Sequence, residues 1–143
     1  MPTVSRTFTV NKPVDAVVAY LADFANAEQW DPGTVTCVPV DGSPVHVGKT
    51  WKNTSKIAGI TTEIDYMLKD LTDDRVLLVG SNDTATSTDD ISITPHPDGA
   101  EITYTSIVEF NGIAKLGSPV VRLVFEHLAN ETEDSIKKAV ATL

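Results

Sequence analysis

The stretch from Gly117 to Leu143 constrains this chain most, because it reads as one long helix. Ser118 can cap it, and Pro119 suits the first helical position, where its missing N–H would be unpaired in any case. Val121, Val124, Phe125, Leu128, Ile136, Val140 and Leu143 then recur at helical spacing. Glu131, Glu133, Asp134, Lys137 and Lys138 fall off that stripe. At about 1.5 Å per residue, roughly 25 residues make a rod of about 38 Å. A rod with one apolar stripe needs an apolar surface to lie on, and the rest of the chain has to supply it.

What precedes the helix reads as a sheet. Thr3 to Val10 alternates, with Val4, Arg6, Phe8 and Val10 on one face and hydroxyl residues on the other, the pattern of a half-buried strand. Asn11-Lys12-Pro13 breaks it. Asn11 or Lys12 can cap, and Pro13 opens a helix carrying Val14, Val17, Val18 and Leu21. A second short helical piece, Phe24 to Gln29, stops at Trp30-Asp31-Pro32-Gly33. Strand signals follow at Thr34 to Val40, at Lys49 to Lys56, and, after an Ala58-Gly59 hairpin turn, at Ile60 to Lys69. Further strands are expected at Val76 to Val79, Asp90 to Thr94 and Ile102 to Phe110, the last two separated by a turn at Pro95 to Gly99. Ser81 to Thr88 is polar and fits a strand margin or a loop. Asn111-Gly112 begins the connection to the long helix. Short polar turns between successive strands imply an antiparallel meander.

The 143 residues fit a single domain, 1–143, large enough for a sizeable core. The one cysteine, Cys37, leaves no intrachain disulfide, and a small buried strand residue is its simplest role. A net charge of −9 argues against nucleic-acid binding and against anionic membrane surfaces. No signal-peptide pattern opens the chain and no apolar run approaches a bilayer span, so a soluble cytoplasmic protein, monomer or homodimer, is expected. No nucleophile elbow, zinc-protease motif, phosphate loop or dinucleotide fingerprint is present, and neither a metal nor a cofactor is expected.

Three pieces carry a family resemblance. Phe8 to Val17, with its strand leading into Pro13 and a helix, is one. Asp23-Phe24 followed by Trp30-Asp31-Pro32-Gly33 is the second, and Val47-Gly48-Lys49-Thr50-Trp51 the third. In that order they resemble the SRPBCC, or START-like, superfamily, which includes polyketide cyclases, the birch-pollen-allergen group and lipid-transfer domains. The likeness implies an α+β helix-grip fold: a curved antiparallel sheet of about seven strands around the long C-terminal helix, with two short helices after the first strand. It also implies a pocket between helix and sheet. A bent sheet and a straight rod cannot touch everywhere, so a cavity between them is natural.

Ligand-binding candidates follow from side-chain parity, each set against a plainer role: core packing for Trp30, Trp51, Tyr66 and Tyr104, and a residue without function for His127. Tyr66 and Tyr104 share the parity of Ile64 and Ile102, so their hydroxyls enter apolar space and need partners. Trp51 is the large apolar residue of its polar run, and Trp30 sits where a helix ends. Arg6 lies on the apolar face of its strand, either reaching solvent at the sheet margin or anchoring an anionic or carbonyl group. His127 borders the helix stripe, whereas Glu126 is expected to face out. Asp65 has the opposite parity to Tyr66, so both face inward only across a bulge. No catalytic constellation can be assigned. The first functional reading is binding or transport of a small hydrophobic molecule of lipid, polyketide or aromatic type. The second is a polyketide cyclase- or dehydratase-like enzyme with acid–base groups in the same cavity. The third is an interaction protein with a vestigial pocket.

Overall fold

The computed structural model describes residues 3–57, 59–110 and 119–143. The order is β1 (Thr3–Val10), α1 (Val14–Ala22), a 3-10 turn (Phe24–Asn26), α2 (Ala27–Trp30), then β2 (Thr34–Pro39), β3 (Thr50–Ile57), β4 (Ile60–Thr72), β5 (Arg75–Ser81), β6 (Ala85–His96), β7 (Gly99–Phe110) and finally α3 (Pro119–Ala141). The seven strands form one antiparallel sheet in the order β1-β7-β6-β5-β4-β3-β2. The meander runs from β2 to β7, and β1 closes the far edge on β7. This is the helix-grip arrangement: a long C-terminal helix against one sheet, with short helices after the first strand.

Alternation in β1 works as its residue types require. Val4, Phe8 and Val10 are buried, while the outer face pairs Ser5 with Thr105 and Thr7 with Thr103, each hydroxyl pair at 3.1 Å. The β3–β4 hairpin pairs Ile57 with Ile60, and Gly59 takes a φ of 81°, which a tight two-residue connection demands. Ala58 lies outside the described residues. A bulge between Leu68 and Asp70 lets β4 bend. It falls beyond Tyr66, so Asp65 stays exposed while Tyr66 is buried.

Three local expectations are corrected. Pro13 is not the first helical residue of α1 but its extended cap, and neither Asn11 nor Lys12 caps through its side chain. The polar run after Ser81 is not a margin: Ala85 to Thr88 belongs to β6, which extends to His96. Hydrogen bonding along both edges overrides the weak strand preference of Ser and Asp, since Thr86 faces Ser81 on one side and Glu109 on the other. Leu143 lies past the end of α3 and is 44% exposed. Ile136 and Val140 are fully buried as the spacing implies, and Ala129, Thr132 and Ala139 complete the buried stripe. Val124, Phe125 and Leu128 are only half-buried. Gly117, Ser118 and the Asn111-Gly112 connection lie outside the described residues, as does the side chain of Val121.

The helix rests on β1 and α2, and small side chains at 129 and 132 let it approach closely. Polar clamps fix its position. Arg6 donates to Glu126 Oε2 at 2.7 Å and to Asn130 Oδ1 at 3.0 Å. At the other end the Lys12 ammonium donates to the Leu143 carbonyl at 2.6 Å.

Candidate functional site

Toward α1 the inner face of the sheet is solidly apolar. Val76, Leu78, Ile91, Ile93 and Ile102 are each fully buried there, with Val17 and Leu21 of α1 in the same core. Further along the same strands the chemistry changes. Cross-strand register lines up Tyr66, Gly80, Ser87 and Val108 in one row, and Leu68, Leu78, Asp89 and Ser106 in the next. Ser87, Ser106 and Val108 stay partly accessible although they have inward parity, as do Ile64 and Phe110. The interior therefore opens, and becomes polar, beyond the Leu78 row.

An aromatic cluster bounds this polar zone. Phe24 is its hub: the Tyr66 ring is 4.5 Å from it, Trp30 6.0 Å and Trp51 6.1 Å, centroid to centroid. Trp30 meets Tyr104 edge-on at 6.1 Å. These are the separations at which ring quadrupoles favour tilted and edge contacts. Gly80 makes room for the Tyr66 ring, because a Cβ there would stand 2.8 Å from two of its carbons. The indole N–H groups of Trp30 and Trp51 are buried without a hydrogen-bond partner, an arrangement costing about 1–3 kcal/mol for each unsatisfied donor.

The polar centre is Asp89, only 4% exposed. Tyr104 donates its hydroxyl to Asp89 Oδ1 at 2.8 Å, and the Ser106 hydroxyl lies beside the same carboxyl. Burial pushes the Asp89 pKa up to about 7, the nearby Asp31 adds to that, and the two hydroxyls oppose it. Tyr104 and Tyr66 are both held well above the ordinary phenol value, by burial first and by Asp89 next. The Ser87 hydroxyl, beside Tyr66, works against that rise. Asp31, at the end of α2, accepts from the Gly33 N–H at 3.2 Å and from Thr34 Oγ1 at 2.8 Å. Burial raises its pKa while those bonds lower it. Cys37 is buried on β2 and its thiol is pushed up to about 12, by burial first. It is therefore no nucleophile at neutral pH.

Of the six residues singled out from sequence, four converge: Trp30, Trp51, Tyr66 and Tyr104 form this aromatic wall. Arg6 and His127 stand apart from it. Arg6 is committed to Glu126, Asn130 and the Ser5 carbonyl. Glu126, expected to face out, is half-buried through that contact. The His127 side chain is 74% exposed and pairs with Glu131 Oε1 at 2.5 Å. Sequence reading missed Asp89, Ser87 and Phe24. A signal for Asp89 exists: it shares parity with Ile91 and Ile93 on one strand, but it lies one residue before the stretch from Asp90 that strand preference marks.

An open cleft of about 820 Å³ lies elsewhere, between α1 and the β4–β5 turn, lined by Val14, Val18, Ala22, Val45 and Leu71 among others. It shares no lining residue with the aromatic cluster. No three His, Cys, Asp or Glu side chains converge as a metal-ligand set among the described residues. Among the described residues no helix is long and apolar enough to cross a membrane.

The family described as polyketide cyclase/dehydrase and lipid transport matches residues 1–141. The chain belongs to that family. No curated protein matches it by sequence. Solved structures share the fold at low identity. A START superfamily protein from Mycobacterium smegmatis superposes with a TM-score of 0.80 at 16% identity, covering 98% of this chain and 97% of that one. A protein from Thermus thermophilus gives 0.81 at 12% identity, covering 99% and 98%. The Zhui aromatase/cyclase from Streptomyces sp. R1128 gives 0.73 at 15% identity, covering 96% and 90%. Membership thus fits a role in handling small hydrophobic molecules, by carriage or by cyclisation.

Proposed function

We propose that this family member binds a small hydrophobic molecule of lipid, polyketide or aromatic type between the sheet and α3, at the Asp89–Tyr104 end of the interior. The observation that carries the reading is the change along one inner face. Solid aliphatic packing gives way to partly accessible positions, an aromatic wall and a few convergent polar groups, which is the usual make-up of a ligand pocket. Tyr66 and Tyr104 are its wall, with the fully buried Trp30 and Trp51 packed behind them, Asp89 is its polar centre, and Arg6 and His127 serve the attachment and surface of α3. Native mass spectrometry and thermal shift against lipids and aromatic polyketides test it. A one-to-one complex that Tyr104→Phe weakens is the expected result. No complex with any of them would instead favour an interaction protein with a vestigial pocket.

One observation favours the second reading, a cyclase- or dehydratase-like enzyme. A buried carboxyl poised near pH 7 and hydrogen-bonded to a phenol is suited to proton transfer at neutral pH. In such a reaction Asp89 would take a proton from carbon or oxygen, and Tyr104 would hold its orientation. Turnover of a poly-β-ketone substrate, abolished by Asp89→Asn with binding retained, is the outcome that would move the weight to catalysis.

A further inference from the structure

We infer that the interior site is charge-selective: it accepts an uncharged aromatic molecule bearing a hydroxyl, held on Asp89, and rejects carboxylates. The inference rests on reading the interior as a ligand site.

The charges that act on the site's titratable groups are, among the described residues, all negative. Asp89 lies inside it, Asp31 stands close enough to disturb Asp89, Tyr66 and Tyr104, and Asp23 and Glu28 act with Asp31 on Cys37. Among the described residues, Arg6, cross-strand from Tyr104, and Lys49, beside Trp51, are engaged elsewhere. Arg6 is bound to Glu126 and Asn130 on α3. Lys49 lies 5.8 Å over the Trp51 ring, with its ammonium donating to the Asp41 and Ser43 carbonyls. Among the described residues no positive charge offsets Asp89. A ligand carboxylate entering here would face a carboxylate with no countercharge in a medium that screens poorly.

Hydrogen-bond capacity then points to a hydroxyl. An ionised carboxyl offers about four lone-pair sites, and Tyr104 fills one on Asp89. The remainder can only accept. The Ser87 and Ser106 hydroxyls of the neighbouring register positions are partly accessible and can donate. A ligand hydroxyl serves both, donating to the carboxylate and accepting from a serine O–H. A ligand carboxylate can accept from a serine but offers Asp89 nothing, and a plain hydrocarbon satisfies neither. Tyr66 and Tyr104, with Val108 and Phe110 at partly accessible positions, supply ring edges and apolar surface for an aromatic body.

The test is equilibrium dialysis of the full chain at pH 8 with three bodies of one shape: 2-naphthylmethanol, 2-naphthoate and 2-methylnaphthalene. The alcohol is expected to bind about tenfold or more tighter than the naphthoate, and tighter than the hydrocarbon. Asp89→Asn is expected to shrink the gap between alcohol and naphthoate to about threefold, chiefly by tightening the naphthoate. Should that variant not fold, the wild-type protein at pH 5.5 does the same work. Asp89 is then neutral, Tyr66, Tyr104 and Cys37 stay protonated throughout, and Asp31 can only lose charge, so the gap narrows. Naphthoate binding as tightly as the alcohol, a hydrocarbon binding as well as the alcohol, or a gap that neither change narrows would overturn charge selectivity while leaving the site standing. Binding of none of the three would overturn the ligand site itself, and selectivity with it.

Discussion

The two ends of the sheet's inner face are built from the same strands and do opposite things. β6 places Ile91 and Ile93 in a dry core under α1, yet two residues earlier the same face of the same strand carries Asp89. β7 places Ile102 in that core, and then Tyr104 and Ser106 around the carboxyl. One end contributes packing, where each methyl has neighbours on all sides. The other keeps a carboxyl, two phenols and two unpaired indoles buried, at a cost in stability. Stability given up locally at a site that the rest of the core can support is the signature expected of function.

The largest effect should come from charging the packed end of the helix. Ile136→Asp buries an unpaired carboxylate and is expected to cost about 5 kcal/mol, enough to abolish a cooperative thermal transition. Leu128→Asp, on the half-buried part of α3, should cost less than half of that. Equal losses would erase the distinction between the two ends. Next, Ile93→Ala at the closed end should lose about 3 kcal/mol in urea unfolding, whereas Ser87→Ala at the open end should change stability little.

The third effect has the opposite sign. Asp89 titrates near 7 when folded and near 3.8 when unfolded, so the folded state holds the extra proton between those values. Its contribution is intact below about pH 4 and declines as pH rises to about 7, after which it is constant. The full difference is worth up to about 4 kcal/mol, and local hydration should reduce it to about 2. Asp89→Asn should therefore raise stability at pH 8 by about 2 kcal/mol relative to its effect at pH 4, read as Tm against pH. A parallel pH profile in wild type and variant would mean that Asp89 is not buried as described. Smallest of the four, Tyr104→Phe should cost about 1 kcal/mol at pH 8 and shift the titration midpoint of Asp89 upward, because one donor to the carboxylate is lost.

The closed end and the open end also differ in how far they can be read in advance. Strand order, the helix and the aromatic wall follow from period and parity, because Tyr66 and Tyr104 sit in runs whose apolar partners show which way they point. Asp89 does not emerge, since its run mixes Thr with Ser and Asp and holds no large apolar residue to show a face, and only pairing with β5 and β7 makes it a strand. Arg6 has the inward parity of β1 that its spacing implies, but its destination depends on where Glu126 and Asn130 fall on α3, a tertiary relation with no local trace. Leu143 fits the helical period in the sequence and still ends up exposed, because α3 stops at Ala141 and no helix turns its side chain inward. The unpaired indoles depend on side-chain orientation, which spacing does not encode.

The most direct measurement uses the two tryptophans as reporters. Their indole N–H signals can be told apart in a 15N-labelled sample with Trp51→Phe, and 2-naphthylmethanol then titrated into the wild-type protein. If the interior holds the ligand, both indole resonances shift and saturate with one dissociation constant, the same one that Asp89→Asn alters. Indole signals that stay fixed, while the amides of Val18 and Leu71 at the outer cleft move, would contradict an interior site.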